Sequence, residues 1–369
     1  MIPIQRPFLG REELDAVRGV FDSRWLGMGS VTKQFEDRLR DYLGAAAVVA
    51  VNTGSSALLL ALEALKLSPG DEVIVPSLTF VASVQAIVSA GGVPVFCDVQ
   101  ADTLNMDPAD ALARITPRTR AIMPVHYGGL PCDMEALLPA ARSRGLRVVE
   151  DAAHAFGSSY RGRRIGSFGD ITCFSFDPIK NITCGEGGAL ATGDRSIVES
   201  ASRRRLLGID NDTWSRYRNE RNWFYEVVTG GHRYHLSNIN AAIGLAQLER
   251  VDDFRARKQA IVGRYDEALQ DQRGLSLLQR HPTETFPFFY VVRVLDGCRD
   301  AMMAHLKSQG VGTGVHYIPN HLQPAFSPFR TPLPVTERVY EEIITLPLFY
   351  EMDEDQVGQV IDGVRGFFG

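Results

Sequence analysis

The stretch 48-VVAVNTGSSALLLALEALKL-67 decides how this chain folds. Its opening run of small β-branched residues reads as a buried strand, and its second half as a helix with an almost continuous apolar face. The pattern then repeats outward. DEVIVP (71–76) is a strand, TFVASVQAIVSAG (79–91) a helix and VPVFCDV (93–99) another strand. RAIMPVH (120–126), LRVVED (146–151), ITCFSF (171–176) and GGALAT (187–192) continue the series. Strands alternating with helices of this length predict an α/β layered sheet with mostly parallel strands. Such sheets bind ligands at the carboxyl ends of their strands.

Beyond this region the pattern changes. Residues 197–237 are less regular and rich in arginine and aromatics. NINAAIGLAQLERVDDFRARKQAIVGRYDEAL (238–269) reads as one long helical pattern that carries the chain out of the large domain. FPFFYVVRVL (286–295) reads as a strand; RDAMMAHLKSQG (299–310) and DEDQVGQVIDGVRGFF (353–368) read as helices. The expected division is a large domain over 1–245, with an N-terminal arm, and a smaller α/β domain over 246–369.

Composition narrows the function. The 369 residues are 45% hydrophobic and 22% charged, as in an ordinary soluble protein. A net charge of −5 argues against a nucleic-acid partner, which favours a basic surface. The run Arg203-Arg204-Arg205 is too short to change that and reads as a solvated helix face. No apolar run approaches the roughly 18 residues of a membrane span, and the first residues lack a signal-peptide pattern. Five scattered cysteines with no Cys-x-x-Cys pair fit reduced thiols in a cytoplasm, with neither disulfides nor a metal site.

Positive charge is placed almost wholly with arginine; the chain holds only five lysines. One of them, Lys180, lies in FSFDPIKNITCGEGGALAT (174–192), between two strand-like runs and just ahead of a glycine cluster. Arginine cannot deprotonate and act as an amine nucleophile, so a lysine in that turn is a candidate for chemistry, with a solvated turn lysine as the alternative. Three other features fall at strand ends. Thr53-Gly54-Ser55-Ser56 opens a helix, where free amides and the helix dipole bind an anion; an ordinary serine N-cap is the alternative. Asp151 ends LRVVED and could hold a positive charge or cap an AAHAF helix, with His154 one turn on. Phe80 follows a strand and could stack on a planar ligand or belong to the core. Ser175 precedes Lys180 by five residues. Together these supply a phosphate cradle, an aromatic platform, an acid for a ring nitrogen and an amine. That is the inventory for holding pyridoxal phosphate on a lysine.

The sequence also resembles the DegT/DnrJ/StrS family of sugar aminotransferases, of the fold type I class. The motifs that carry the resemblance are VNTGSSALLLAL, GDEVIVPSLTFVAS, VVEDAAHAFGSSYRG, SFDPIKNITCGEGG, SNINAAIGLAQLERVD and VGTGVHYIPNHLQPAF. It implies a large domain with a seven-stranded, mostly parallel sheet and a small C-terminal domain. It makes Lys180 the lysine that binds the cofactor aldehyde and Asp151 the partner of its pyridine nitrogen. His154 falls near the ring's phenolic oxygen and Phe80 on the ring face; Gly54, Ser55 and Ser175 hold the phosphate, with Ser56 beside them. A further phosphate contact comes from a neighbouring subunit, here Arg233 or His235, which implies a homodimer with shared active sites. His316, Tyr317 and His321 match a motif near the sugar, and His126 and Tyr127 are weaker candidates. The implied reaction moves an amino group from glutamate, through pyridoxamine phosphate, to the keto group of a nucleotide-linked sugar. Dehydration of a sugar, amination of a cyclic polyol, and a non-catalytic regulator are the alternatives. A dehydrogenase is disfavoured because no Gly-x-Gly-x-x-Gly turn follows a strand.

Overall fold

A computed structural model describes residues 1–210 and 225–369. The arginine- and aromatic-rich positions 211–224, part of the stretch expected to be irregular, lie outside the described residues.

The central sheet has seven strands: β1 (Ala47–Val51), β2 (Glu72–Pro76), β3 (Val93–Cys97), β4 (Thr119–Ile122), β5 (Arg147–Asp151), β8 (Ile171–Ser175) and β9 (Gly188–Thr192). Their order across the sheet is β1-β9-β8-β5-β4-β2-β3. Neighbours from β8 to β3 run parallel, while β9 lies antiparallel between β1 and β8. The short pair β6 (Ser159–Tyr160) and β7 (Arg163–Arg164) forms a separate ribbon.

Alternation along each strand feeds two cores. Val49 and Val51 point to one face, with Val73, Val75 and Cys173, against α3 (Gly54–Ala64) and α4 (Val81–Ser89). Val48, Ala50 and Phe174 point to the other, against α2 (Ser30–Leu43). Residues one apart on a strand face opposite ways, so both faces need apolar side chains. That requirement is why β1 reads as an unbroken run.

One polar tie crosses this packing. Glu36 on α2 accepts from the Ala50 amide at 2.9 Å and from Arg205, which also donates to the Ala50 carbonyl at 2.7 Å. Arg205 follows α7 (Arg195–Arg204) and is buried, so the last arginine of the run is not on the solvated face expected of it. Removing one member of a buried ion pair strands the other. Arg205→Met is therefore expected to cost about 3 kcal/mol in a urea unfolding titration.

The helical pattern from 238 to 269 is two helices, α8 (Asn238–Glu249) and α9 (Val251–Leu269), which part at Arg250. There the amide turns back to Gln247 at 3.1 Å and the side chain reaches Glu13 on α1 (Arg11–Ser23). The changeover to the second unit falls here. α8 packs on α1 and α2, whereas α9 joins a core with α10 (Arg299–Ser308) and α12 (Glu354–Phe368). A three-stranded antiparallel sheet, β10 (Leu275–Leu277), β11 (Tyr290–Val294) and β12 (Ile343–Leu346), completes that unit. Ile2, at the start of the chain, is buried in it and pairs in parallel with Val311. Phe288 and Phe289 bridge the two units, packing with Leu78, Val99 and Tyr127. Among the described residues no helix is long and apolar enough to cross a membrane, and no cluster could hold a metal ion.

Candidate active site

The carboxyl ends of β1, β2, β5 and β8 open onto one cavity of about 340 Å³. Gly54, Ser55, Phe80, Asp151, His154, Ser175, Lys180, His316 and Tyr317, nine of the residues singled out in the sequence, line it.

The turn after β1 is fixed by Thr53, whose hydroxyl caps α3 by accepting from the Ser56 amide at 3.0 Å. Ser56 is spent in this cap, donating its own hydroxyl to Asn52 at 2.7 Å, and it does not line the cavity. Ser55 does. A Cβ on Gly54 would lie 2.7 Å from Ser175 Cβ, so only glycine lets the first turn of α3 close against β8. The result is a helix N-terminus with two hydroxyls beside it, a setting that favours phosphate.

Asp151 ends β5. No helix follows it; the chain turns instead, and Asp151 Oδ1 accepts from the Ala153 amide at 3.1 Å. Its Oδ2 accepts the Ser83 hydroxyl at 2.6 Å, and Thr79 backs Ser83 at 2.9 Å. The sequence reading missed Ser83, although Phe80 and Ser83 sit on the same turn of α4. His154 is buried with its ring stacked on Phe288 at 4.4 Å and its Nε2 3.0 Å from the Tyr317 hydroxyl. Burial and the neighbouring Lys180 hold its pKa well below the usual histidine value. Its Nδ1 is buried without a partner among the described residues. An orphaned ring nitrogen in a cavity wall is a position for a ligand atom.

Lys180 rides on the excursion between β8 and β9. Phe176 donates its amide to the Gly187 carbonyl at 2.8 Å, and the Cys184 amide returns to the Phe176 carbonyl at 2.9 Å. Within this closed loop Asp177 makes a turn that accepts from the Ile179 amide at 3.1 Å. The Lys180 amine lies 4.2 Å from the centre of the Phe288 ring. Burial lowers its pKa to about 8, against the opposing pull of Asp177 and Asp151. An amine attacks a carbonyl only when unprotonated. Capture of a carbonyl by the cofactor-free protein is therefore expected to accelerate with pH and reach half its limiting rate near pH 8. A pH series of reductive trapping checks this; a midpoint near the ordinary lysine value of 10.5 would contradict it.

Other candidates lie elsewhere. His321 is buried off the cavity, between Ser77 at 2.7 Å and Glu337 at 3.2 Å. His126 is buried against Glu150 at 2.9 Å, and Tyr127 donates to the His316 carbonyl. Arg233 and His235 line a separate cleft of about 560 Å³ with Arg24, Leu26 and Leu207. His316 and Tyr317 are joined by a cis peptide bond. Burial lowers His316 to about 4, so it is a neutral imidazole.

The pattern of the DegT/DnrJ/EryC1/StrS aminotransferase family matches residues 7–365. The chain belongs to that family. It is 40% identical to the spore coat polysaccharide biosynthesis protein SpsC of Bacillus subtilis, over 99% of this chain and 96% of that one. The aminotransferase TlmJ of Streptoalloteichus hindustanus superposes with a TM-score of 0.93 at 39% identity, covering 99% and 98% of the two chains. Spr1654 of Streptococcus pneumoniae, a candidate sugar aminotransferase, superposes in its PMP form with a TM-score of 0.93 at 30% identity, over 99% and 98%. As a member, this chain is a mixed α/β, fold type I aminotransferase whose cofactor is pyridoxal phosphate. The residues present fit that group: a glycine-tight cradle for the phosphate and an unpartnered His154 nitrogen in the wall.

Proposed function

We propose that this protein moves an amino group from glutamate to the keto group of a nucleotide-linked sugar, for the synthesis of an amino sugar. The observation that carries the reading is the convergence of Lys180, Asp151, His154, Phe80 and the Gly54–Ser55–Ser175 cradle on one cavity. The bound cofactor supplies an electron sink conjugated to the substrate's reacting carbon. The chain's own groups do the rest. Asp151 would set its carboxyl group against the pyridine nitrogen. Phe80 would cover the ring face, and His154, whose Nδ1 has no partner among the described residues, would lie near the ring's oxygen. Lys180 would hold the aldehyde through its amine, and as a free amine it would take and return the proton at the substrate's reacting carbon. His316 and Tyr317 face the sugar; His321, off the cavity, is left out of the set.

No arginine lines the cavity among the described residues, and Lys180 is committed to the aldehyde. The phosphate dianion therefore lacks a full cation within one chain. Arg233 and His235 supply it in this proposal, from a second protomer, with exposed Leu26, Leu207, Val227 and Val228 forming part of the shared face. In this reading the enzyme is a cytoplasmic homodimer with two shared sites; its large domain ends near Arg250, where α8 parts from α9, and its small domain takes in Ile2 as well as the residues beyond.

The test adds glutamate to the loaded protein and follows the visible band, then supplies a panel of nucleotide-linked keto sugars. Bleaching by glutamate and recovery with one of the sugars support the reading. A band that no amino donor bleaches overturns it. Mixing Lys180→Ala with Arg233→Ala tests the dimer: two inactive chains regain activity only where one site draws on both protomers.

A further inference from the structure

Lys258 lies on α9, buried beneath the active site, and the reaction derived above does not use it. Its amine donates to Asn181 Oδ1 at 3.0 Å and to the Phe288 carbonyl at 3.4 Å. Both acceptors adjoin the reactive amine. Asn181 follows Lys180 in the chain and donates its own Nδ2 to the Phe286 carbonyl at 3.3 Å. Phe288 is the ring on which the Lys180 amine rests and against which His154 stacks. Charged and titratable groups lining the small cavity beside Lys258 are Arg6, Lys180 and Tyr350, with no carboxylate among them. Among the described residues no ion pair involves Lys258.

A buried ammonium without a counter-ion is costly, whereas a neutral amine has two N–H donors for the two acceptors present. Burial and the charge of Lys180 draw the Lys258 pKa down to about 7, in line with that geometry. Geometry and burial both favour the neutral amine.

We propose that Lys258 is a positioning residue for Lys180. Its amine pins the lysine turn through Asn181 and the supporting ring through the Phe288 carbonyl, so that α9, the first helix of the small unit, sets the height and direction of the reactive amine. This rests on Lys180 being the group that binds the cofactor aldehyde.

The experiment strips the full-length protein of cofactor. It then measures the rate at which Lys180 is trapped by pyridoxal phosphate and borohydride, read by peptide mass across pH. Failure to trap Lys180 in the wild type would defeat the assignment of Lys180 itself. With Lys180 trapped, Lys258→Met is expected to slow trapping about tenfold, from lost alignment. The pH midpoint should stay put, because a neutral amine at Lys258 places no charge beside Lys180. Lys258→Gln, which offers two N–H donors and no charge, should return most of the rate. A folded Lys258→Met that traps at the wild-type rate overturns the proposal. So does rescue by Lys258→Arg but not by Lys258→Gln, which would make charge the active property. Loss of folding in both the Met and Gln variants also overturns it, by making the amine a requirement of the core.

Discussion

Lys180→Ala is expected to lower turnover by on the order of 10⁴-fold while leaving the protein folded. In the proposed reaction the substitution removes both the amine that would bind the aldehyde and the base that would move the proton, and among the described residues no other lysine lines the cavity. Stability should not fall with it. The wild-type amine is held to a pKa near 8 against 10.5 in an unfolded chain. Between those values the unfolded state binds more protons, so this group contributes an opposing free energy at pH 7 that fades as pH rises through the window. Alanine removes that opposition, and the variant should melt no lower than the cofactor-free wild type at pH 7. Steady-state assay and thermal melting together check the pair of outcomes. A folded variant with more than about a hundredth of wild-type turnover would remove Lys180 from the reaction.

Asp151→Asn should cost on the order of a hundredfold in kcat/KM, roughly 3 kcal/mol, if as proposed Asp151 makes a charge-assisted bond to the ring nitrogen. Asparagine is nearly isosteric and still offers an oxygen to Ser83 or to the Ala153 amide, so the fold should be unharmed. The variant carries a second signature. Asp151 raises the pKa of Lys180, so its neutralisation should move the trapping midpoint below the wild-type value near 8. An unchanged midpoint with lost activity would place the damage elsewhere than in the electrostatics of the cavity.

The large sheet was legible because both of its faces are buried, which makes each strand an uninterrupted apolar run. The strand ends then marked the site, since Gly54, Asp151 and Ser175 interrupt such runs with polar or small residues. What stayed hidden has particular causes. Arg250 parts α8 from α9 without glycine or proline, through an ion pair to Glu13 that lies far away in sequence. His321 sits in a familiar motif, yet its ring is turned to Ser77 and Glu337. Ser56 and Ser55 are equivalent on paper; the choice between them is made by which one the Thr53 cap consumes. Phe288 was one aromatic in a run of them, and only the meeting of two units puts its ring under Lys180.

The pairing of Ile2 with Val311 has a consequence for how the chain matures. The first residues pack in the small unit, and their bridge partner Val311 is synthesised about 300 residues after Ile2. The large sheet can assemble on the ribosome domain-first, but the small unit cannot close its core until Val311 has emerged. Such distant pairings carry a loop-closure cost before any contact repays it, which slows folding. In the interval Ile2 lacks its partner, so newly made chains are most prone to self-association at that stage.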